Sequence, residues 1–204
     1  MTSEARAEAE ELKIIAIAGE LFSQLAAKRE TPKYVKWVGP SRFAPSSVKD
    51  GLPAIQADKI LLPDTLKGKM QLDDWKPLLA SSVVFQYEMN VRRRVKLGAI
   101  LWVSALLLIL TVPLILNVPD GIIPVLLIGV LFIFAIYYGI HSIPRLAIGA
   151  RLKADRVAAH LVGRQALVWA LEKVATLEPR VQDRDNSDFY VPTISRRLRN
   201  LRSH

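Results

Sequence analysis

Apolar residues recur at helical spacing through residues 4–30, at Ile14, Ile15, Ala18, Leu21, Phe22 and Leu25. That period predicts a helix with one buried face. Thr31 stands before Pro32, which disfavours helix at the preceding position and ends the element. The pattern then shifts towards alternation. Residues 33–38 (KYVKWV) predict a strand, and residues 54–63 (AIQADKILLP) predict a second. Between them, turn-forming Pro and Gly residues mark a loop. A short helix with a break at Gly68 follows. Asp73 or Asp74 is then expected to cap a longer helix, with Pro77 tolerated in its first turn. Trp75, Leu78, Leu79 and Val83 mark the apolar face of that helix.

Two apolar runs come next, over residues 97–116 and 122–143, separated by a Pro- and Gly-containing turn at 117–121. A run of twenty residues rising ~1.5 Å each spans ~30 Å, about the thickness of a bilayer core. The pattern therefore predicts a transmembrane helical hairpin. Beyond it, Ala154, Val157, Ala158, Leu161, Val168, Leu171 and Ala175 line one side of a long amphipathic helix that Gly163 interrupts. A polar loop follows, and a short basic helix is expected after Pro192.

Charge sharpens this division. The 204-residue chain carries 28 Lys and Arg, and none of them falls within residues 97–144. The basic patch Arg92, Arg93, Arg94 and Lys96 precedes the first run, and Arg145 and Arg151 follow the second. By the positive-inside rule both polar segments, and both termini, are expected in the cytoplasm. The formal net charge of +9 is assigned to an anionic bilayer surface, with Arg196, Arg197, Arg199 and Arg202 of the tail as further lipid contacts. No nucleic-acid motif accompanies the charge, so no nucleic acid is expected. There is no cysteine, which removes disulfides, thiolate metal sites and a thiol nucleophile. Gly129 and Gly139 permit close helix contact, so a homo-oligomer is allowed, although neither run contains a GxxxG motif.

The order of the pieces carries a resemblance. The stretch ILLPDTLKGKMQLDDWKPLLASSVVF, the apolar hairpin, RLKADRVAAHLVGRQALVWALEKVATL and VPTISRRLRNL follow one another. The set resembles the HtpX-like and CAAX-prenyl-protease family of membrane zinc endopeptidases over roughly residues 30–202. In that family two histidines and a glutamate of one helix, with a distant glutamate, bind zinc and activate water. Carried over by position, these fall on Ser81 and Phe85 (the histidines), Ser82 (the general base) and Arg151 (the distant ligand). All four are replaced. Asp155 survives from the second motif, with a structural role expected through pairing with Arg151 or Arg156.

The resemblance implies an α+β, mainly helical fold: a zincin-like cytoplasmic domain built from residues 1–96 and 145–204 and interrupted by the hairpin at 97–144. It implies a catalytically inactive pseudoenzyme that has lost zinc and binds or regulates other membrane proteins or an active relative. Two other readings stand beside it. One is an active metalloendopeptidase with rearranged ligands, and the other is a basic membrane-anchored adaptor. His141, His160 and His204 offer no metal-ligating spacing, a Ser81 or Ser82 nucleophile lacks a spaced base, and Glu88 with Asp155 is a weak acid–base pair.

Overall fold

The structure, a computed structural model, describes residues 3–25, 31–39, 41, 44–56, 58–88, 97–98, 100–105, 107–108, 111, 122–179 and 191–203. The chain divides into two units, one formed by Met1–Asn90 with Ile148–His204 and the other by Val91–Ala147.

The first unit is mainly helical with one small sheet. Helix α1 (Ser3–Gln24) leads to β1 (Tyr34–Val38), a single-turn α2 (Ser46–Lys49), β2 (Ala54–Gln56) and β3 (Lys59–Pro63). The sheet order is β1-β3-β2. β1 runs parallel to β3, with Tyr34 opposite Lys59. β2 runs antiparallel, with Gln56 opposite Lys59. The single strand expected over residues 54–63 is thus two strands, because the chain reverses between Gln56 and Lys59 to cover both partners of the hairpin. β3 is central and its Ile60, Leu61 and Leu62 are all buried, which explains an apolar run where a half-exposed strand would alternate.

Helix α1 lays Ile14, Ala18, Leu21 and Phe22 against the unit's core and packs on β1 and α3 (Leu72–Val83). Trp37 of β1 donates to Glu11 Oε1 at 2.8 Å and meets Trp75 edge-on, with centroids 6.1 Å apart. Each such large apolar side chain removed from water contributes about 1.5–3 kcal/mol. The cap of α3 is Gln71 rather than Asp73 or Asp74. Asp74 acts from the third helical position, where its Oδ2 accepts from the Gln71 N–H at 2.8 Å. Pro77 consequently lies in the second turn, inside the helix.

Helix α4 (Ile122–Val162) contributes its residues from Ile148 onward to this unit. Gly163, at φ 90°, separates it from α5 (Arg164–Leu177). The left-handed backbone there suits glycine. α5 packs on α3 and on α6 (Ile194–Arg202), which follows Pro192 and is capped by Thr193.

The transmembrane hairpin is not found. Among the described residues no helix is long and apolar enough to cross a membrane. This corrects the two spans, the integral-membrane assignment and the cytoplasmic placement of both termini that depended on them. The reason lies in where the elements stop. The second apolar run does not close at residue 143 but is the start of the 41-residue α4, which goes on to carry Arg145, Arg151, Lys153, Asp155 and Arg156. In the first run the longest described helical stretch is 100–105. The expected turn at 117–121 and the basic patch Arg92, Arg93, Arg94 and Lys96 lie outside the described residues. In the second unit Leu101, Val130, Ile133 and Phe134 are exposed.

Candidate functional site

The C-terminal half of α3 is buried on every side, from Ala80 through Val83 and on to Val84. Two of those residues, Ser81 and Ser82, are polar, and a buried hydroxyl needs a partner. Directly after them the backbone widens into one turn of π-helix, Val84–Glu88. Phe85 sits on this turn, on the same side as Ser81 and Ser82 by the three- and four-residue spacing. Arg151 and Asp155 share a face of α4 by the same four-residue rule.

These groups meet. The Ser81 hydroxyl donates to Asp155 Oδ1 at 2.6 Å. The Ser82 hydroxyl donates to the Pro53 carbonyl at 2.7 Å and accepts from Arg151 Nη2 at 3.3 Å. The Arg151 guanidinium lies over the Phe85 ring, 4.9 Å from its centroid. The four positions carried over from the peptidase motif therefore lie around one cluster, Ser81 through its bond to Asp155, and Ser82 and Phe85 through their contacts with Arg151.

The partner of Asp155 is neither Arg151 nor Arg156. It is Arg197 of α6, whose Nε donates to Oδ2 at 2.7 Å and whose Nη2 donates to Oδ1 at 2.6 Å. Arg197 Nη2 also donates to the Ser81 hydroxyl at 3.1 Å. Arg197 and Asp155 are both 0% exposed. The assignment of Arg197 to a lipid surface is thereby corrected, since a fully buried guanidinium touches no bilayer. Arg196, Arg199 and Arg202 stay exposed, and Arg202 pairs with Glu172. A signal for Arg197 was present in the spacing of Ile194, Arg197 and Leu201, all three buried. The third and seventh positions after a buried residue face inward on a helix. Asn200 adds a second tie, donating to the Leu152 carbonyl at 3.2 Å.

Burial alone would raise the Asp155 carboxyl. The charge and hydrogen bonds of Arg197, with Arg151 and Ser81, outweigh it and hold the group below its ordinary value. Asp155 is therefore an anion and a poor general base. Ser81 donates its proton to that anion and is itself 0% exposed, so no substrate carbonyl can reach its oxygen.

Zinc does not fit these residues. Both Asp155 oxygens are taken by Arg197 and Ser81. The remaining groups are hydroxyls, a phenyl ring and two guanidinium cations, none of which is a zinc ligand. Among the described residues no group of three His, Cys, Asp or Glu side chains is placed to hold a metal ion. His160 is exposed on α4, and His204 lies outside the described residues.

No protein-family model matches the chain, and no curated protein or solved structure matches it.

Proposed function

We propose that the chain is a non-catalytic counterpart of the zinc peptidases it resembles, retained as a protein-binding or regulatory domain. The observation that carries this reading is the place of Arg151. Its guanidinium touches Ser82 and covers Phe85, 69 and 66 positions earlier in the chain. A zinc peptidase needs ligands and a general base at these positions. Here a buried cation, a hydroxyl and a ring pack together instead.

The binding role rests on the sheet. β2 pairs with β3 on one side only among the described strands. An extended segment of a partner protein adds to such an edge through its backbone, with side-chain pockets giving selectivity. The nearby cluster anchors that edge, because Ser82 binds the carbonyl of Pro53, immediately before β2.

The test is metal analysis of the purified chain after dialysis against excess zinc, run beside a cleavage assay on unfolded protein substrates. The expected result is no stoichiometric zinc and no cleavage. One tightly held zinc with chelator-sensitive proteolysis would establish the rearranged-ligand enzyme instead.

A further inference from the structure

A cavity of about 560 Å³ opens between α5 and α6, lined by Glu172 and Ala175 of the first helix and by Ser195, Leu198, Arg199 and Arg202 of the second. The spacing builds both walls. Positions 195, 198, 199 and 202 lie three or four apart in turn, so they share one face of α6, and 172 and 175 share one face of α5 by the same rule. Arg197 falls off that face and is buried instead. The volume lies within the range of small-molecule sites, about 300–1,000 Å³.

The lining divides by chemistry. Ala175 is buried and Leu198 half-buried, and they give the cavity an apolar part. Ser195, Arg199 and Arg202 are exposed and bring a hydroxyl and two guanidinium groups. Arg202 pairs with Glu172. Among the described residues no carboxylate pairs with Arg199. Two arginines against one glutamate leave a single positive charge uncompensated. A metal cation would find one carboxylate here, already held by an arginine. A phosphate monoester brings about −1.5 to −2 at pH 7, more than the surplus. A carboxylate brings one negative charge and two coplanar oxygens that fit a guanidinium fork.

We propose that the cavity between α5 and α6 is a binding site for a small monocarboxylic acid with an apolar body. Arg199 pairs with the carboxylate, the Ser195 hydroxyl donates to it, and the body rests on Ala175 and Leu198. Glu172 works against the ligand, because it holds Arg202 and repels a second carboxylate. That opposition is weak, since an exposed ion pair contributes little and opens readily. No residue of the Arg151 cluster or of the β2 edge lines this cavity. The site therefore goes beyond the proposed protein-binding role, and its failure leaves that reading untouched.

The experiment uses the full chain and equilibrium dialysis against 2-naphthoate. Neutral 2-naphthalenemethanol and inorganic phosphate serve as competitors, and circular dichroism verifies the fold of each variant. The expected result is saturable binding of one 2-naphthoate per chain, which either competitor displaces only at about tenfold or higher excess. Arg199→Gln should weaken binding about tenfold, and Arg199→Lys, which keeps the charge but loses the fork, by less. Glu172→Gln should tighten it, because Arg202 is released. Arg196→Gln, an exposed α6 arginine outside the cavity lining, should leave it unchanged. No saturable binding at millimolar 2-naphthoate would overturn the proposal. So would unchanged affinity in a folded Arg199→Gln protein, or an equal loss in Arg196→Gln, which would mark attraction to the basic helix as a whole. Displacement by phosphate at equal concentration would overturn the carboxylate assignment.

Discussion

Arg197 grips Asp155 through two parallel hydrogen bonds of 2.7 and 2.6 Å, with both side chains sealed from water and 42 positions apart in the chain. Taking either charge out of water is costly, so the pair stands or falls together. Removal of one partner leaves the other buried and uncompensated, at a cost of about 3–5 kcal/mol. Asp155→Ala and Arg197→Met should each lower the urea unfolding free energy by about that amount. The double variant should lose much less than the two losses added, a coupling that a double-mutant cycle reads directly. Additive losses would show that the two residues act independently.

Acid should unfold the protein through the same carboxyl. Asp155 is held below its ordinary value of 3.8 in the folded state. The unfolded chain therefore takes up a proton first as the pH falls. The stability this group contributes is complete above 3.8 and is lost as the pH drops through the folded value. Urea midpoints of the wild-type protein should fall steeply in that window. Asp155→Asn, less stable throughout, should show a flatter profile there.

Glu178 behaves in the opposite sense. Burial, with Asp64 adding to it and Lys69 opposing, raises its carboxyl above 4.5. The Thr65 hydroxyl donates to Glu178 Oε1. For a raised group the favourable contribution is present below the unfolded value and is lost as the pH rises through the folded one. Glu178→Gln should remove that loss, so its unfolding midpoint should decline less than that of the wild type between acid and neutral pH. An identical decline in both proteins would count against the assignment.

Two glycines with nearly the same backbone should differ sharply on substitution. Gly51 has φ 69°, and a Cβ there would lie 2.9 Å from Val174 Cγ1. Gly68 has φ 72° with nothing within 4 Å. The left-handed conformation alone costs a non-glycine residue about 1–2 kcal/mol. Gly68→Ala should lose roughly that much, and Gly51→Ala clearly more, because the methyl must also push aside the Val174 side chain. Equal losses in chemical denaturation would show that Val174 yields freely.

The peptidase resemblance has its own test. The combined variant S81H/S82E/F85H/R151E places the ligand and base types of the resembled family at the positions where Arg151 now meets Ser82 and Phe85. It should bind one zinc per chain by metal analysis, where the wild type is expected to bind none. Circular dichroism would check that the variant is folded. A folded variant without zinc would sink the kinship.

Much of the first unit was legible in local pattern. The apolar spacing of α1, the strand at Tyr34–Val38, the interruption at Gly163 and the helix after Pro192 all follow from the chemistry of near neighbours. Helical periodicity, glycine's left-handed freedom and proline's missing donor act within a few residues, so the chain displays them directly. The reversal between Gln56 and Lys59 was hidden because no Gly or Pro marks it.

Tertiary structure decided the rest. The apolar run from residue 122 does not close at 143 but is the first part of the 41-residue α4, and run length carries no such information. Arg197 looked like one more arginine of a basic tail, yet it is the residue on which Asp155 and Ser81 converge. A buried charge is tolerable only beside a partner, and that partner comes from a distant part of the chain. Local sequence therefore determines which elements form, while long-range pairing determines which of their charges turn inward.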